Sequence, residues 1–588
     1  MRWFVFCLPA GPASPLAWGP KAACWRGEHA RPAEKESVMS LGMKINQQRR
    51  REYRRKGYWG DATLKDYWDM SVLSMPDKLA VTDRMGTRMS YTELNDAAGR
   101  LAMWLHEVGV KPGDMVSVQL PGWTEFTVIY GACLKVGAVI NPILPNHRAK
   151  EVSFILKKCQ SKVLFIPSCF RNYDYPPMIQ EIIGSIPTLE QVVVVEKETE
   201  VQDCCTLNSI LRLHDPLPER SPRGGDDLAA VLFTSGTESV PKGVMHTHNT
   251  IIASIRPFTK VLHLTDRDIM LMPAPVAHAT GFHHGVTTPI MLGATHVLHD
   301  IFKPETALAT IERERCTYSM GATPIIHDML CELQRKPYDI SSLRFVLCGG
   351  APSPRHVLKD AWDAGFRVIS VYGSTESVPH TVSSPEAPLR KIHSTDGQAV
   401  PSVEVRVVDA GHAPVPACME GEEASRGPNV FVGYLREPEL TDKVLDDEGW
   451  YYSGDLCVMD KQGYVKITGR KKDVIIRGGE NISSNEVEGI LLRHPKVKDT
   501  AVVAMPDPRL GERTCAYVVL EDDADDLSLE DVIAFFKEKH VAKYKYPERI
   551  ETINCIPRNP SGKVQKFALR DDIRTKLEGV MRCAMVGN

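Results

Sequence analysis

The sequence predicts an α/β protein, with a large N-terminal domain of layered α/β sheets and a small C-terminal α+β domain. Three observations carry this expectation. A βαβ rhythm starts at Met115, where MVSVQL reads as a strand, Trp123 to Lys135 as a helix and GAVINPI as a second strand. Apolar strand segments then recur, each running into a turn rich in Gly, Ser, Thr or Pro. Beyond Asp473 the pattern changes to helix, strand and helix signals that suit a separate unit. The 588 residues, 43% hydrophobic and 25% charged, have ordinary globular composition, which excludes disorder as the general state.

Taken in order, the chain opens with an apolar run, WFVFCL, behind Arg2, but Pro9, Pro12 and Pro15 interrupt it and argue against a secretory signal. Residues 1–43 read as a disordered extension, with the fold beginning near Met39 or Met43. The basic run QQRRREYRRK (residues 47–56) reads as a solvated helical arm, because nothing aromatic or glycine-rich follows it to stack bases. Five apolar segments then end in turns: AAVLF into TSGTESVPKG, IMLM into PAPVAHATG, TYSM into GATP, RFVLC into GGAP and VISV into YGSTES. Open α/β sheets bind ligands at the carboxyl ends of their strands, so these five turns are expected to converge on one cleft. From Ser402 onward VEVRVVD and DLCVMDKQGYVKITG read as antiparallel hairpins. Near the end, Ser528 and Asp531 have capping-box spacing ahead of the amphipathic VIAFFKEKH.

Charge and cysteine use narrow the function classes. With 71 basic against 74 acidic residues the net charge is -3, so no global field draws nucleic acid or an anionic membrane, and a charged partner must be met locally. The 15 cysteines are scattered, without a CxxC pair or zinc-type spacing, which suits a reduced, cytoplasmic chain. No run approaches the about 18 apolar residues of a membrane span. That leaves room only for peripheral contact, at the inner membrane. His278, His283 and His284 lack a supporting Cys/Asp cluster and are not expected to hold a metal.

FTSGTESVPKGV (residues 233–244) is dense in hydroxyls and small residues and carries one lysine. Backbone N–H groups and hydroxyls in such a turn can surround phosphate oxygens, with Lys242 adding positive charge. It is not a Walker A loop, because Pro241 stands where that motif needs Gly and Gly243 where it needs Ser or Thr.

Together FTSGTESVPKG, YGSTES, YYSGDL, GRKKD and PRNPSGK, in this order, resemble the acyl-adenylate-forming (AMP-binding) superfamily, and most of all bacterial short- and medium-chain fatty acyl-CoA synthetases. The resemblance runs from about Asn46 to the early 570s. It implies a large domain over residues 44–471 that includes a small β-barrel-like subdomain, and a mobile C-terminal domain over 472–588 hinged at Lys472. It implies ATP, Mg2+ and coenzyme A as reagents beside a small-molecule carboxylic acid. Thr234, Ser235, Gly236, Thr237 and Lys242 match the loop that holds the β- and γ-phosphates. Tyr372 matches the residue that stacks on adenine, Gly349, Gly350 and Ala351 the opposite wall, and Gly373 and Ser374 the rest of that turn. Thr375 matches the α-phosphate contact and Glu376 the magnesium ligand, which Thr234 assists. Asp455 and Arg470 match the ribose clamp, and Lys563 the catalytic lysine of adenylation. Gly478, Gly479 and Glu480 match the strand that lines the pantetheine tunnel.

In the same family the position of His278 gates the carboxylate site, and Gly281, Gly285 and Gly321 suggest room for an acyl chain or ring. The implied reaction is ATP-dependent activation of a short- or medium-chain fatty acid, through an acyl-adenylate, to its CoA thioester. An aryl or alicyclic acid such as cyclohexanecarboxylate, or transfer to a carrier protein, stands as the alternative. The chain departs from the usual TSGTTGxPKG at Glu238, a carboxylate near phosphates, and at Ser239, which replaces a glycine.

Overall fold

The computed structural model describes residues 41–196, 205–217, 223–234, 241–349, 355–477, 480–507, 509–522, 524, 526–539, 541–559 and 562–586. The extension expected over residues 1–43 therefore lies outside the described residues up to residue 40.

Two large sheets form the layers. The first has nine strands in the order Gln398–Ala399, Ser377–Val382, Arg367–Ser374, Phe345–Gly349, Tyr318–Gly321, Ile269–Met272, Thr295–Leu298, Leu79–Asp83 and Arg88–Ser90. Its six inner strands, from Arg367–Ser374 to Leu79–Asp83, run parallel, and antiparallel strands close both edges. Helices cover a parallel sheet on both faces, which is why these strands read as unbroken apolar runs. The second sheet has six strands, in the order Gly243–Thr247, Leu228–Phe233, Val139–Pro142, Met115–Val118, Val163–Pro167 and Gln191–Val195. Four of the five turn-bearing strands lie side by side in the first sheet, whereas Leu228–Phe233 belongs to the second. The cleft is thus assembled from two sheets rather than one.

Between the sheets runs helix Thr124–Val136, in which every residue but Glu125 is buried. It is apolar on all sides because it meets neighbours on all sides. One continuous core joins it to both sheets, including Val116, Leu232, Met272 and Phe345. Helix Tyr91–Glu107 packs there too, started by a capping box between Ser90 and Glu93.

The basic run is helical over Gln47–Arg55, as expected, but it is clamped rather than simply solvated. Arg50 and Arg54 both bind the Asp226 carboxylate, at 2.6 and 2.9 Å, and Asn249 donates to its other oxygen. Tyr53 packs edge-on against Trp59, whose indole N–H donates to the Pro428 carbonyl.

The hairpins expected after Ser402 form a four-stranded antiparallel sheet of Glu404–Val408, Glu420–Arg426, Tyr451–Met459 and Val465–Arg470. A short 3-10 turn, Lys471–Asp473, leads out of it. Beyond lies a second unit, where Glu480–Ser483, Val474–Arg477, Gly511–Leu520 and Val497–Asp507 make an antiparallel sheet and Arg549–Thr552 adds parallel to Gly511–Leu520. Helices Ser484–Leu491, Leu529–Glu538 and Lys566–Val586 accompany it, with two cores drawn from its own residues. The Ser528/Asp531 capping box is present. Cysteines in the described residues are free, and no helix among them is long and apolar enough to cross a membrane.

Candidate active site

The turn after strand Arg367–Ser374 lies at the centre. Between Tyr372 and Ser374 one residue, Gly373, faces three on the neighbouring strand, residues 378–380. This bulge bends the strand end and re-aims its side chains. Tyr372, Ser374 and Thr375 are half-buried, Gly373 is exposed and Glu376 is buried. The Tyr434 hydroxyl donates to Glu376 Oε1 at 2.7 Å. His246 Nε2 lies 2.8 Å from the Thr375 carbonyl, so that nitrogen carries the proton and pins the turn from behind. Burial brings His246 down to about 4, which keeps it neutral.

Strand Leu228–Phe233 and its antiparallel partner Gly243–Thr247 form the stem of the hydroxyl-rich loop, closed by the Thr234 N–H donating to the Lys242 carbonyl. The Lys242 ammonium lies 5.2 Å from the Tyr434 ring centroid, so this stem and Glu376 share one neighbour. Ser235, Gly236 and Thr237, together with the departures Glu238 and Ser239, lie outside the described residues. So do Gly350 and Ala351, though Gly349 ends its strand in the parallel array as expected.

A second bulge positions Asp455. Residues 453–455 of strand Tyr451–Met459 face Glu423 alone across the pairing. Gly454 turns there at φ 73°, a left-handed conformation that glycine adopts without a Cβ penalty. The Glu422 carboxylate accepts from the Gly454 N–H, and Ser453 donates to the Glu423 carbonyl. Asp455 then faces Arg470 across the pairing, 2.8 Å from its Nε, and accepts from the Tyr372 hydroxyl at 2.9 Å.

Lys563 approaches from the C-terminal unit. Asn559 closes its turn, taking the Lys563 N–H on its side chain, while Gly562 adopts φ 84° and donates its N–H to the Asn559 carbonyl. Arg558 holds the loop: its Nη2 donates to both Asp499 carboxylate oxygens at 2.9 Å and its Nη1 to the Gly562 carbonyl. A Cβ on Gly562 would stand 3.3 Å from the Ala322 side chain, so the loop lies against the GATP turn of the large domain. Withdrawal from water, helped by the Arg470 and Lys472 charges, lowers Lys563 to about 8. His278 in turn drops to about 4 through burial and the Lys563 charge, and accepts from the Thr280 N–H on Nδ1.

On the acyl side the glycines sit in close contacts. Helix Thr280–Thr287 is a wide π-turn segment, and a Cβ on Gly281 would stand 2.1 Å from the Pro275 carbonyl oxygen. At Gly285 it would meet Met272 at 2.5 Å, and at Gly321 the Ile325 side chain at 3.0 Å. At these positions the missing Cβ permits a close approach of neighbouring backbone or side chain. Phe282, His283 and His284 are buried, and no group of three metal-ligating side chains occurs among the described residues. Lys472 is exposed in its 3-10 turn, and Glu480 is exposed opposite Arg477. Gly478 and Gly479 lie outside the described residues.

Tyr434, His246, His380 and Glu423 were not singled out by motif. Their signals were faint: single histidines in the strand segments GVMHT and VPHTV, a doubled glutamate before ASR, and a tyrosine in VGYL.

Comparison with known proteins places the chain in a family. A family model for the AMP-binding enzyme matches residues 68–435, and one for the AMP-binding enzyme C-terminal domain matches residues 486–563. The medium-chain fatty-acid–CoA ligase of Escherichia coli (strain K12) is 53% identical over 543 residues, covering 92% of this chain and 96% of that protein. The crystal structure of ATP-bound MatB from Rhodopseudomonas palustris is similar at a TM-score of 0.79 with 27% identity, covering 87% of this chain and 99% of that one. A fatty acyl CoA synthetase structure from Mycobacterium tuberculosis is similar at a TM-score of 0.68 with 28% identity, covering 87% and 99%.

Proposed function

The chain belongs to the AMP-binding enzyme family, and from that premise we propose that it activates medium-chain fatty acids, with short-chain acids as weaker substrates. It is an AMP-forming acyl-CoA ligase. In the first step a carboxylate oxygen attacks the α-phosphorus of ATP, the bond to the bridging oxygen breaks and pyrophosphate leaves. In the second the CoA sulfur attacks the acyl carbonyl, loses its proton and expels AMP. The first step brings two anions together, so fixed positive groups lower its barrier.

The observation that carries this reading is the Lys563 loop seated on the GATP turn beside Asp455, Arg470 and His278. In this arrangement Lys563 would neutralise the charge shared by carboxylate and α-phosphate, and Thr375 would contact that phosphate. Thr234 to Thr237 and Lys242 would hold the β- and γ-phosphates. Tyr372 would stack on the base against Gly349 to Ala351, with Gly373 and Ser374 completing the turn, and Asp455 with Arg470 would clasp the ribose. Mg2+ suits the donors present: one carboxylate, Glu376, with the Thr234 hydroxyl, beside substrate phosphates. Bound there, the ion would supply charge neutralisation for the leaving pyrophosphate.

Residues 44–471 and 472–588 would act as two bodies hinged at Lys472. In the second step the hinge would bring Gly478 to Glu480 to the CoA thiol. The two cores within the C-terminal unit and the exposed turn at Lys472 support this division.

Pyrophosphate release with acids from acetate to palmitate, plus benzoate and cyclohexanecarboxylate, each with and without CoA, tests the reading. Expected is the highest kcat/KM near octanoate, with sustained turnover only when CoA is present. Preference for a ring acid, or turnover that ignores free CoA, would overturn it.

A further inference from the structure

Behind Tyr372 lies a buried polar pair that no step above uses. His380 and Glu423 are both 0% exposed, with Nδ1 and Oε1 2.9 Å apart. We infer that this is a positioning pair, holding the Tyr372 ring and offering its hydroxyl a second acceptor, so that Asp455 is left free to clasp the ribose. The inference rests on the reading of Tyr372 and Asp455 as nucleoside-binding residues.

Four observations converge on it. The His380 ring packs against the Tyr372 ring at 5.0 Å between centroids, tilted by 56°, and so forms a floor beneath it. The Tyr372 hydroxyl stands between two carboxylates, 2.9 Å from Asp455 Oδ2 and 3.3 Å from Glu423 Oε2. Burial, reinforced by Glu423 and Asp455, holds Tyr372 well above the usual phenol range, so it keeps its one proton. Both bulges described above meet here: His380 ends the residues 378–380 that face Gly373, and Glu423 faces residues 453–455. The pair therefore ties the nine-stranded sheet to the four-stranded one at the point where each presents a nucleoside-binding residue.

One phenol proton can serve one carboxylate at a time. Without nucleotide it goes to Asp455 Oδ2, while Arg470 engages Oδ1. When Asp455 accepts the ribose hydroxyls, Glu423 can take that proton, and Tyr372 is not left with a buried unpaired donor. A fold-stabilising role alone predicts something different. Replacing a buried pair by apolar side chains is commonly neutral for stability and would leave nucleotide recognition untouched.

The test compares ATP with 2′-deoxy-ATP in acid-dependent pyrophosphate exchange, using Asp455→Ala, Glu423→Gln and the double variant His380→Val/Glu423→Leu. Expected is a fall of about threefold to tenfold in the ATP preference of the double variant, the size of one lost hydrogen bond. KM for ATP should rise, KM for the fatty acid should stay, and the melting temperature should hold. Glu423→Gln, whose amide NH2 replaces the acceptor facing Tyr372 while its oxygen accepts from His380 Nδ1, should lower the preference similarly and serves if the double variant does not fold. An unchanged preference in either Glu423 variant, with a lowered one in Asp455→Ala, overturns the inference. An unchanged preference in Asp455→Ala instead overturns the nucleoside reading on which it rests.

Discussion

The lowered proton affinity of Lys563 makes a pH prediction that can be worked through. Withdrawal of its ammonium from water, helped by the nearby charges of Arg470 and Lys472, brings it to about 8. If adenylation requires the cation, the competent fraction of free enzyme is about 0.9 at pH 7, one half near pH 8 and about 0.1 at pH 9, whereas a solvated lysine stays charged to about pH 10. The sign is that of a protonated group lost on raising pH: activity is nearly full at pH 7, half at about pH 8 and falls further above it. Because kcat/KM reports the free enzyme, it should fall about fivefold from pH 8 to 9 and about tenfold per pH unit beyond, in ATP–pyrophosphate exchange with octanoate. Bound ATP favours the ammonium, so the limb in kcat should lie at higher pH. Lys563→Arg keeps its charge and should lose the limb, even at a lower absolute rate. A flat kcat/KM from pH 7 to about 9.5, or an unaltered limb in Lys563→Arg, would refute the reasoning.

Three further outcomes are expected. Lys563→Ala should lose acyl-adenylate formation by about 10²-fold yet still convert supplied acyl-adenylate and CoA to thioester, and equal loss of both half-reactions would count against its assigned role. Lys472→Pro should slow thioester formation more than adenylation, measured as the two separate half-reactions, because proline fixes φ at the turn that must rotate; unchanged overall turnover would remove the hinge. Gly281→Ala should destabilise the protein by at least about 1–3 kcal/mol in denaturant melts, because its Cβ would meet the Pro275 backbone 2.1 Å away and backbone cannot yield as a side chain can. Wild-type stability in that variant would show that the segment can shift.

The α/β class, the strand ends and the hairpins were legible because each rests on local periodicity. RFVLC and IMLM are too short and too apolar to be anything but buried parallel strands in that setting. The capping box at Ser528 was legible because it is written within four residues. Which sheet owns a strand was not legible, and Leu228–Phe233 was grouped with neighbours that belong to the other sheet. Sheet membership is a long-range choice made by the whole core. At the site, residues inside short motifs could be named because those motifs resemble the family's. Tyr434 and Glu423 could not, because their partners, Glu376 and His380, lie 58 and 43 positions away and come together only through bulges. The glycines of the acyl side are ambiguous for a related reason: an absent side chain marks a close approach as readily as an open space, and sequence alone does not tell which.

The phosphate-loop stem grows from the six-stranded sheet, Tyr372 from the nine-stranded sheet, Asp455 from the four-stranded sheet and Lys563 from the C-terminal unit. A nucleotide held by all four would act as a rivet through separately built plates. On that reading a fragment carrying one plate would lack the contacts of the other three and would not keep a proportionate share of the activity. Ligand in excess would also toughen the whole molecule against heat and protease, in proportion to the logarithm of its concentration over Kd, since only the assembled plates can hold it.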